Sequence, residues 1–293
     1  MSKKKINFSP LKFGVLAFLV LYTVILFILW GWGIINSLKD YYDFRMNASG
    51  LPAEWRWDNY VYVLERFKLD APTPSGGRHI VGMAEMYLYS ILYAGGCAFT
   101  ATFVPCIVSY VVARYNFKPL SIIYYIVVVC MVIPLVGTLP AQVRVAINLG
   151  IRGHIWGMWI MTGHFLGMYF LVFYATFKTL PMSYTEAAKI DGASNLNIMF
   201  RVIIPLARNM FFTIFLLHFV TYWNEYQTAL LFIPEYPTIS LGLYYMAKST
   251  DDRLTQIPSR LTGCILVMIP VLIVFLIFRE RLMGNLSMGG LKE

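Results

Sequence analysis

Charge is what this chain lacks. Only 13% of its 293 residues are charged, where a soluble domain carries about a quarter. Acids are the scarcer sign, 15 against 24 lysines and arginines. With 58% hydrophobic residues and a mean hydropathy of +0.63, this is the composition of a polytopic membrane protein. The net charge of +9 does not argue for a nucleic-acid partner, because the basic residues form no block. They lie in short segments between apolar runs, the pattern that orients a membrane protein. Cysteine is also sparse. Cys97, Cys106, Cys130 and Cys264 sit in apolar runs without a Cys-x-x-Cys pair, so they read as small buried hydrophobes. His79, His154, His164 and His218 show no metal-ligand spacing. No nucleotide-binding, zinc-protease or serine-hydrolase motif is present, and no internal repeat. No metal, no cofactor and no catalytic residue are expected.

What is present is long apolar runs. A hydrocarbon core of ~30 Å needs about 20 apolar residues in helix. Six runs qualify: 11–38, 86–113, 120–141, 155–177, 210–233 and 261–278. The first follows Lys3, Lys4 and Lys5 but is too long for a signal peptide and lacks a small-residue cleavage site, so it reads as a retained helix. With the N-terminus inside, the inner segments carry 13 basic residues against four acids, and the outer ones 11 against ten. The basic N-terminus and the short Arg114–Lys118 turn favour N-in, C-in. The expected layout is a cytoplasmic N-terminus (1–10), an all-α transmembrane domain (11–281) and a cytoplasmic tail (282–293). Outer loops cover 39–85, 143–154 and 234–260; the one large inner loop covers 178–209.

That inner loop is the most informative stretch. Pro181 ends the fourth run, and Ser183-x-x-Glu186 has capping-box spacing. Residues 184–190 would form a short helix, closed by Gly192 in the left-handed conformation. Ser194 can cap a second helix, which Pro205 kinks or delivers to the membrane. Ala187 and Ala188 would offer a small, flat face. On these features alone the loop is either an ordinary surface helix or a docking element.

The spacing goes further. Glu186-Ala187-Ala188, three residues, Gly192, nine residues, then Val202-Ile203-Ile204-Pro205 resembles the signature of permease subunits of ATP-binding-cassette (ABC) importers. Val202 and Ile204 depart mildly from its usual Ile and Leu. Tyr222-Trp223-Asn224-Glu225-Tyr226, the Pro237–Leu243 loop, the Leu286–Lys292 tail and the Tyr110–Lys118 turn are similar to stretches of maltose-type carbohydrate permeases. The resemblance implies a type I importer permease fold with six transmembrane helices, in a bacterial cell membrane. It implies a second, non-identical permease, two ATP-binding subunits that do the hydrolysis, an extracytoplasmic solute-binding protein and a carbohydrate cargo, besides membrane lipid. It also implies that Glu186, Ala187, Ala188, Asp191 and Gly192 dock the ATPase, with a second contact from Ser287, Gly289 and Gly290.

Glu225 is the one acid well inside a run, roughly 12 Å from its outer end at 1.5 Å per residue. A charge there must face protein or water. It either lines a path or braces a neighbouring helix. Tyr222, Asn224 and Tyr226 are the other candidates for a sugar path, with Tyr169 and His164 in the fourth run weaker. Gly163 and Gly167 have small-xxx-small spacing, and Pro134 and Pro140 are placed to break the third run. Three other readings stay open: the same machinery with a glycerophosphate-type cargo, a membrane transferase, or a scaffold subunit.

Overall fold

The computed structural model describes residues 10–73, 76–115, 117–133 and 137–286, with side chains as far as Arg279. In chain order it contains α1 (Pro10–Ser37), α2 (Tyr41–Met46), α3 (Asp58–Arg66), β1 (Lys68–Pro72), β2 (Arg78–Gly82) and α4 (Met83–Arg114). There follow α5 (Lys118–Val132), α6 (Thr138–Asn148), α7 (Ile155–Thr162), α8 (Met168–Thr179) and α9 (Ser183–Ile190). Then α10 (Asn195–Ile198) runs through a π-helical turn (Met199–Ile203) into α11 (Ile204–Leu206). Last come α12 (Arg208–Asn224), α13 (Gln227–Phe232), α14 (Ile239–Met246), α15 (Asp252–Thr255) and α16 (Ile257–Leu286). The chain forms two compact units, 1–67 with 246–266, and 68–245 with 267–293.

In the first unit, α1 is apolar on every side and buries nothing before Asn36 and Ser37. A helix of that kind belongs in an apolar solvent. Its end is knotted by polar groups. Asn59 Nδ2 donates to the carbonyls of Ser37 and Lys39, both at 2.9 Å. Thr262 Oγ1 donates to Ser37 O at 3.2 Å. The ammonium of Lys39 is fully buried and donates to Asn47 O and, at 2.7 Å, to Gly50 O. A buried cation needs such partners. α3 is tied to α15 by Arg253, which pairs with Asp58 at 2.6 Å and lies 4.1 Å above the Tyr62 ring. Tyr62 in turn donates to Asp251 at 2.6 Å.

The second unit is built around α4, which packs against α7, α8 and α12. Small residues along α4 permit this: Ala94, Cys97, Ala98 and Ala101 are buried. At Gly96 the indole of Trp159 on α7 crosses so closely that a Cβ would stand 2.1 Å from its nitrogen. That nitrogen donates to Leu92 O at 3.1 Å.

Several expectations need correction. Segment 39–85 is not a plain loop. It holds α2, α3 and an antiparallel hairpin in the register Leu69↔Val81, Ala71↔His79. Runs one, two and six are single helices long and apolar enough to cross a bilayer. Run three is divided between α5 and α6, run four between α7 and α8, and run five between α12 and α13. Hydropathy sums over such breaks, whereas the backbone stops where a local group captures it. Gly163 and Gly167, read as a helix-packing pair, instead bound the break in run four, with Gly167 at φ +137°. Cys97 and Cys106 are buried as expected, but Cys264 is exposed. Pro134 lies outside the described residues.

Candidate functional site

The 178–209 loop is ordered by local chemistry. α9 starts one residue early: Ser183 is already helical, and the amides of Thr185 and Glu186 donate to Met182 O at 2.9 and 3.0 Å. The expected Ser183–Glu186 capping box is therefore not formed, since Met182 itself adopts helical angles. The closing turn forms as read. Gly192 sits at φ +76°. Its amide donates to Lys189 O and that of Ala193 to Ala188 O, both at 3.0 Å. This pair of bonds closes a helix through a left-handed residue, where a side chain is disfavoured. Ser194 then caps α10, its hydroxyl accepting from Asn197 N at 3.4 Å. Pro205, lacking an N–H, stands beside the break at Ala207, where the chain bends by 75° into α12.

The faces of α9 divide sharply. Thr185 is buried, and Ala188 and Ala193 pack on a cluster with Tyr110, Phe173, Phe177, Ile198 and Ile203. The small face offered outward is thus Ala187 alone, with Glu186, Asp191 and Gly192 also exposed. Beside them stand two exposed aliphatic side chains, Ile190 at 86% exposure and Leu196 at 66%. The positions Ser287, Gly289 and Gly290 lie outside the described residues.

The candidate path residues separate into two groups. Tyr222 and Tyr169 converge on His218, with ring centroids 6.1 and 4.5 Å from it. His218 Nδ1 is 3.0 Å from Thr102 Oγ1, and Tyr93 meets the edge of Tyr222 at 6.2 Å. A cavity of about 60 Å³ opens here, lined by His164, Tyr169, His218 and Tyr222 among others. His218, Thr102 and Tyr93 were missed from sequence. The available signal was the four-residue spacing of His218 and Tyr222, which stacks them on one helix face.

The other group marks a helix break. α12 ends at Asn224, whose amide side chain donates back to Val220 O at 2.8 Å. Glu225 is not inside a helix, as had been expected. Its carboxylate accepts from Gln227 N at 3.0 Å and Thr228 N at 3.2 Å, starting α13 as a cap would. The Trp223 carbonyl is taken by the Ser240 hydroxyl, and the Trp223 indole donates to Val267 O at 3.0 Å. Tyr226 stacks on Tyr244 at 4.8 Å.

Comparison with known proteins places this arrangement. Over 277 residues the chain is 24% identical to the diacetylchitobiose uptake system permease protein NgcG of Streptomyces coelicolor, covering 93% of this chain and 86% of that protein. It is 26% identical over 209 residues to the maltodextrin transport system permease protein MalD of Streptococcus pneumoniae, covering 70% and 73%. Its fold matches a chain in the crystal structure of a bacterial ABC transporter that imports the acidic polysaccharide alginate. There the TM-score is 0.68 at 22% identity, over 94% of this chain and 99% of that one. A family model matches residues 102–287, well over half of the chain. The chain therefore belongs to the binding-protein-dependent transport system inner membrane components, multi-pass proteins of the bacterial membrane.

Proposed function

We propose that this chain forms one half of the translocation pathway of an ATP-driven carbohydrate importer. Its partners are a second, non-identical permease, two ATP-binding subunits and an extracytoplasmic solute-binding protein. ATP is hydrolysed by the partner subunits, and this chain is not itself an enzyme. It crosses the membrane six times, N-in and C-in, with broken runs three, four and five each counted as one crossing. The carbohydrate cargo is supported by the relatives' names, and Tyr169, His218 and Tyr222 supply the ring faces and polar groups that sugar C–H faces and hydroxyls use.

The observation that carries the coupling role is the pair of exposed aliphatics on either side of the Gly192 turn, Ile190 at the end of α9 and Leu196 on α10. Exposed aliphatics beside a rigid turn suit a protein cleft. Glu186 and Ala187 of α9, with Asp191 and Gly192 of the turn that follows it, dock the ATPase, while Ala188 anchors α9 to its own bundle. The tail residues Ser287, Gly289 and Gly290 make a second contact. Closure of the ATPase dimer then moves α9, and with it α8 and α12. Tyr222 and Tyr169 line the path; Glu225, Asn224 and Tyr226 hold its broken helix. Gly192→Trp tests this in the assembled complex reconstituted with its binding protein. The expected result is a complex of normal composition whose cargo uptake falls at least about tenfold, because the left-handed turn costs a side chain ~1–2 kcal/mol and the indole blocks close approach. Uptake at the parent rate from a fully assembled variant would refute the coupling role.

A further inference from the structure

A second cavity, of about 470 Å³, lies where α4 ends, α5 begins and α8 ends. That volume is within the ~300–1,000 Å³ of small-molecule sites. Val112, buried against Val127 and Phe170, lies at its base. Tyr124 and Tyr174, in ring contact at 4.8 Å, form part of its wall, and Tyr115, Tyr125 and Ser121 add hydroxyls. Two cations line it, Lys118 and Lys178. Lys178 Nζ lies 5.7 Å from the centre of the Tyr174 ring. Among the described residues, no carboxylate pairs with either lysine. Two exposed cations and several hydroxyls around one cavity fit an anion with several oxygens.

The surface below the cavity says what kind of anion. Lys118, Ile122, Tyr125 and Val129 follow one another at four-, three- and four-residue spacing, one stripe of α5. Ile122 is 58% exposed and Val129 55%, so an open apolar track leads away from the cations. A free phosphate has no use for such a track; an acyl chain does. The geometry points to a site for an anionic phospholipid, its phosphate between Lys118 and Lys178 and an acyl chain along Ile122 and Val129. Under the N-in orientation proposed above, on which the leaflet assignment rests, this lipid belongs to the inner leaflet. Lys178 is in the last turn of α8, just ahead of α9, so the lipid would sit at the root of the coupling loop.

The test is native mass spectrometry of the delipidated, detergent-solubilised full-length protein with its co-purifying subunits. It is titrated with dioleoylphosphatidylglycerol, with dioleoylphosphatidylcholine, and with inorganic phosphate as competitor. One phosphatidylglycerol per chain should be retained in preference to phosphatidylcholine. The Lys118→Gln/Lys178→Gln variant should bind it about thirtyfold more weakly, roughly fivefold per lysine. Arg279→Gln, an exposed cation outside the cavity, should leave binding unchanged. If the double variant does not assemble, Lys178→Gln alone carries the test with its roughly fivefold loss. Equal retention by parent and variant would overturn the site, and displacement by millimolar phosphate would reassign it to a free anion. Binding in detergent depends on neither transport nor topology. The orientation is read separately, from impermeant maleimide labelling of Ser121→Cys in a Cys264→Ser background. Labelling from the outer face would overturn the leaflet assignment while leaving the site standing.

Discussion

Gly96 sets how closely α4 and α7 approach, because the Trp159 indole occupies the space a side chain would need. Gly96→Leu forces that ring off its hydrogen bond with Leu92 O, and overpacking of this kind costs ~1–3 kcal/mol. The expected outcome is a lower melting temperature in detergent, read by thermal unfolding of the purified protein. Gly95→Ala next to it, where a Cβ meets nothing within 4 Å, serves as the neutral comparison. Residues varied in how plainly they declared their roles. Gly192 was legible, because a glycine just past a short polar helix has one common use. Ser194 was legible for the same kind of local reason. Glu225 was not: hydropathy registers an acid within an apolar run, but the capture of the Trp223 carbonyl by Ser240, 17 residues away, is invisible until the chain is folded.

Between elements, the tie of α3 to α15 has a defined pH window. The hydrogen bond from Tyr62 holds the Asp251 carboxyl below its usual value. The same bond, with a smaller contribution from burial, raises the Tyr62 phenol above 10. A depressed carboxyl stabilises the fold above its unfolded value of about 4 and loses that contribution as pH falls through the folded value. A raised phenol stabilises below about 10 and loses its contribution as pH rises through its folded value. The melting difference between the parent and Tyr62→Phe should therefore be flat from about pH 5 to 9 and shrink at both extremes. A difference that grows toward low pH would contradict the assignment. Neither this tie nor the β1–β2 hairpin was legible. The hairpin's strands are five residues each, and the Pro-Thr-Pro-Ser-Gly-Gly turn dominated the reading of 39–85. The long helices α1, α4 and α16 were legible because unbroken apolar length admits one structure in lipid.

For the whole molecule, α1 is the element that asks for company. From Leu11 to Leu29 its large apolar side chains stay exposed, a surface for lipid or, in the assembly proposed above, for a partner chain. Extraction in mild detergent, followed by affinity purification and mass spectrometry, should recover a second permease, an ATPase and a solute-binding protein with this chain. Recovery of this chain alone, from membranes that contain those proteins, would contradict the proposed assembly. The family was legible from one loop because its helix, turn and cap are all local in sequence. The two-unit division was not, since it joins the start of the chain to a stretch near its end.

That joining has a consequence in time. Asp58 finds Arg253 across 195 residues, and Ser37 finds Thr262 across 225. At roughly 5–20 residues per second, a ribosome needs on the order of 10–40 s to make the later partners after the earlier ones. Throughout that interval the end of α1 is held only by its local ties to Asn59 and the 47–50 turn. Chains truncated before Arg253 keep those local ties but lack both long-range bonds, so the start of the chain is fastened to the stretch near its end only in copies that reach Thr262.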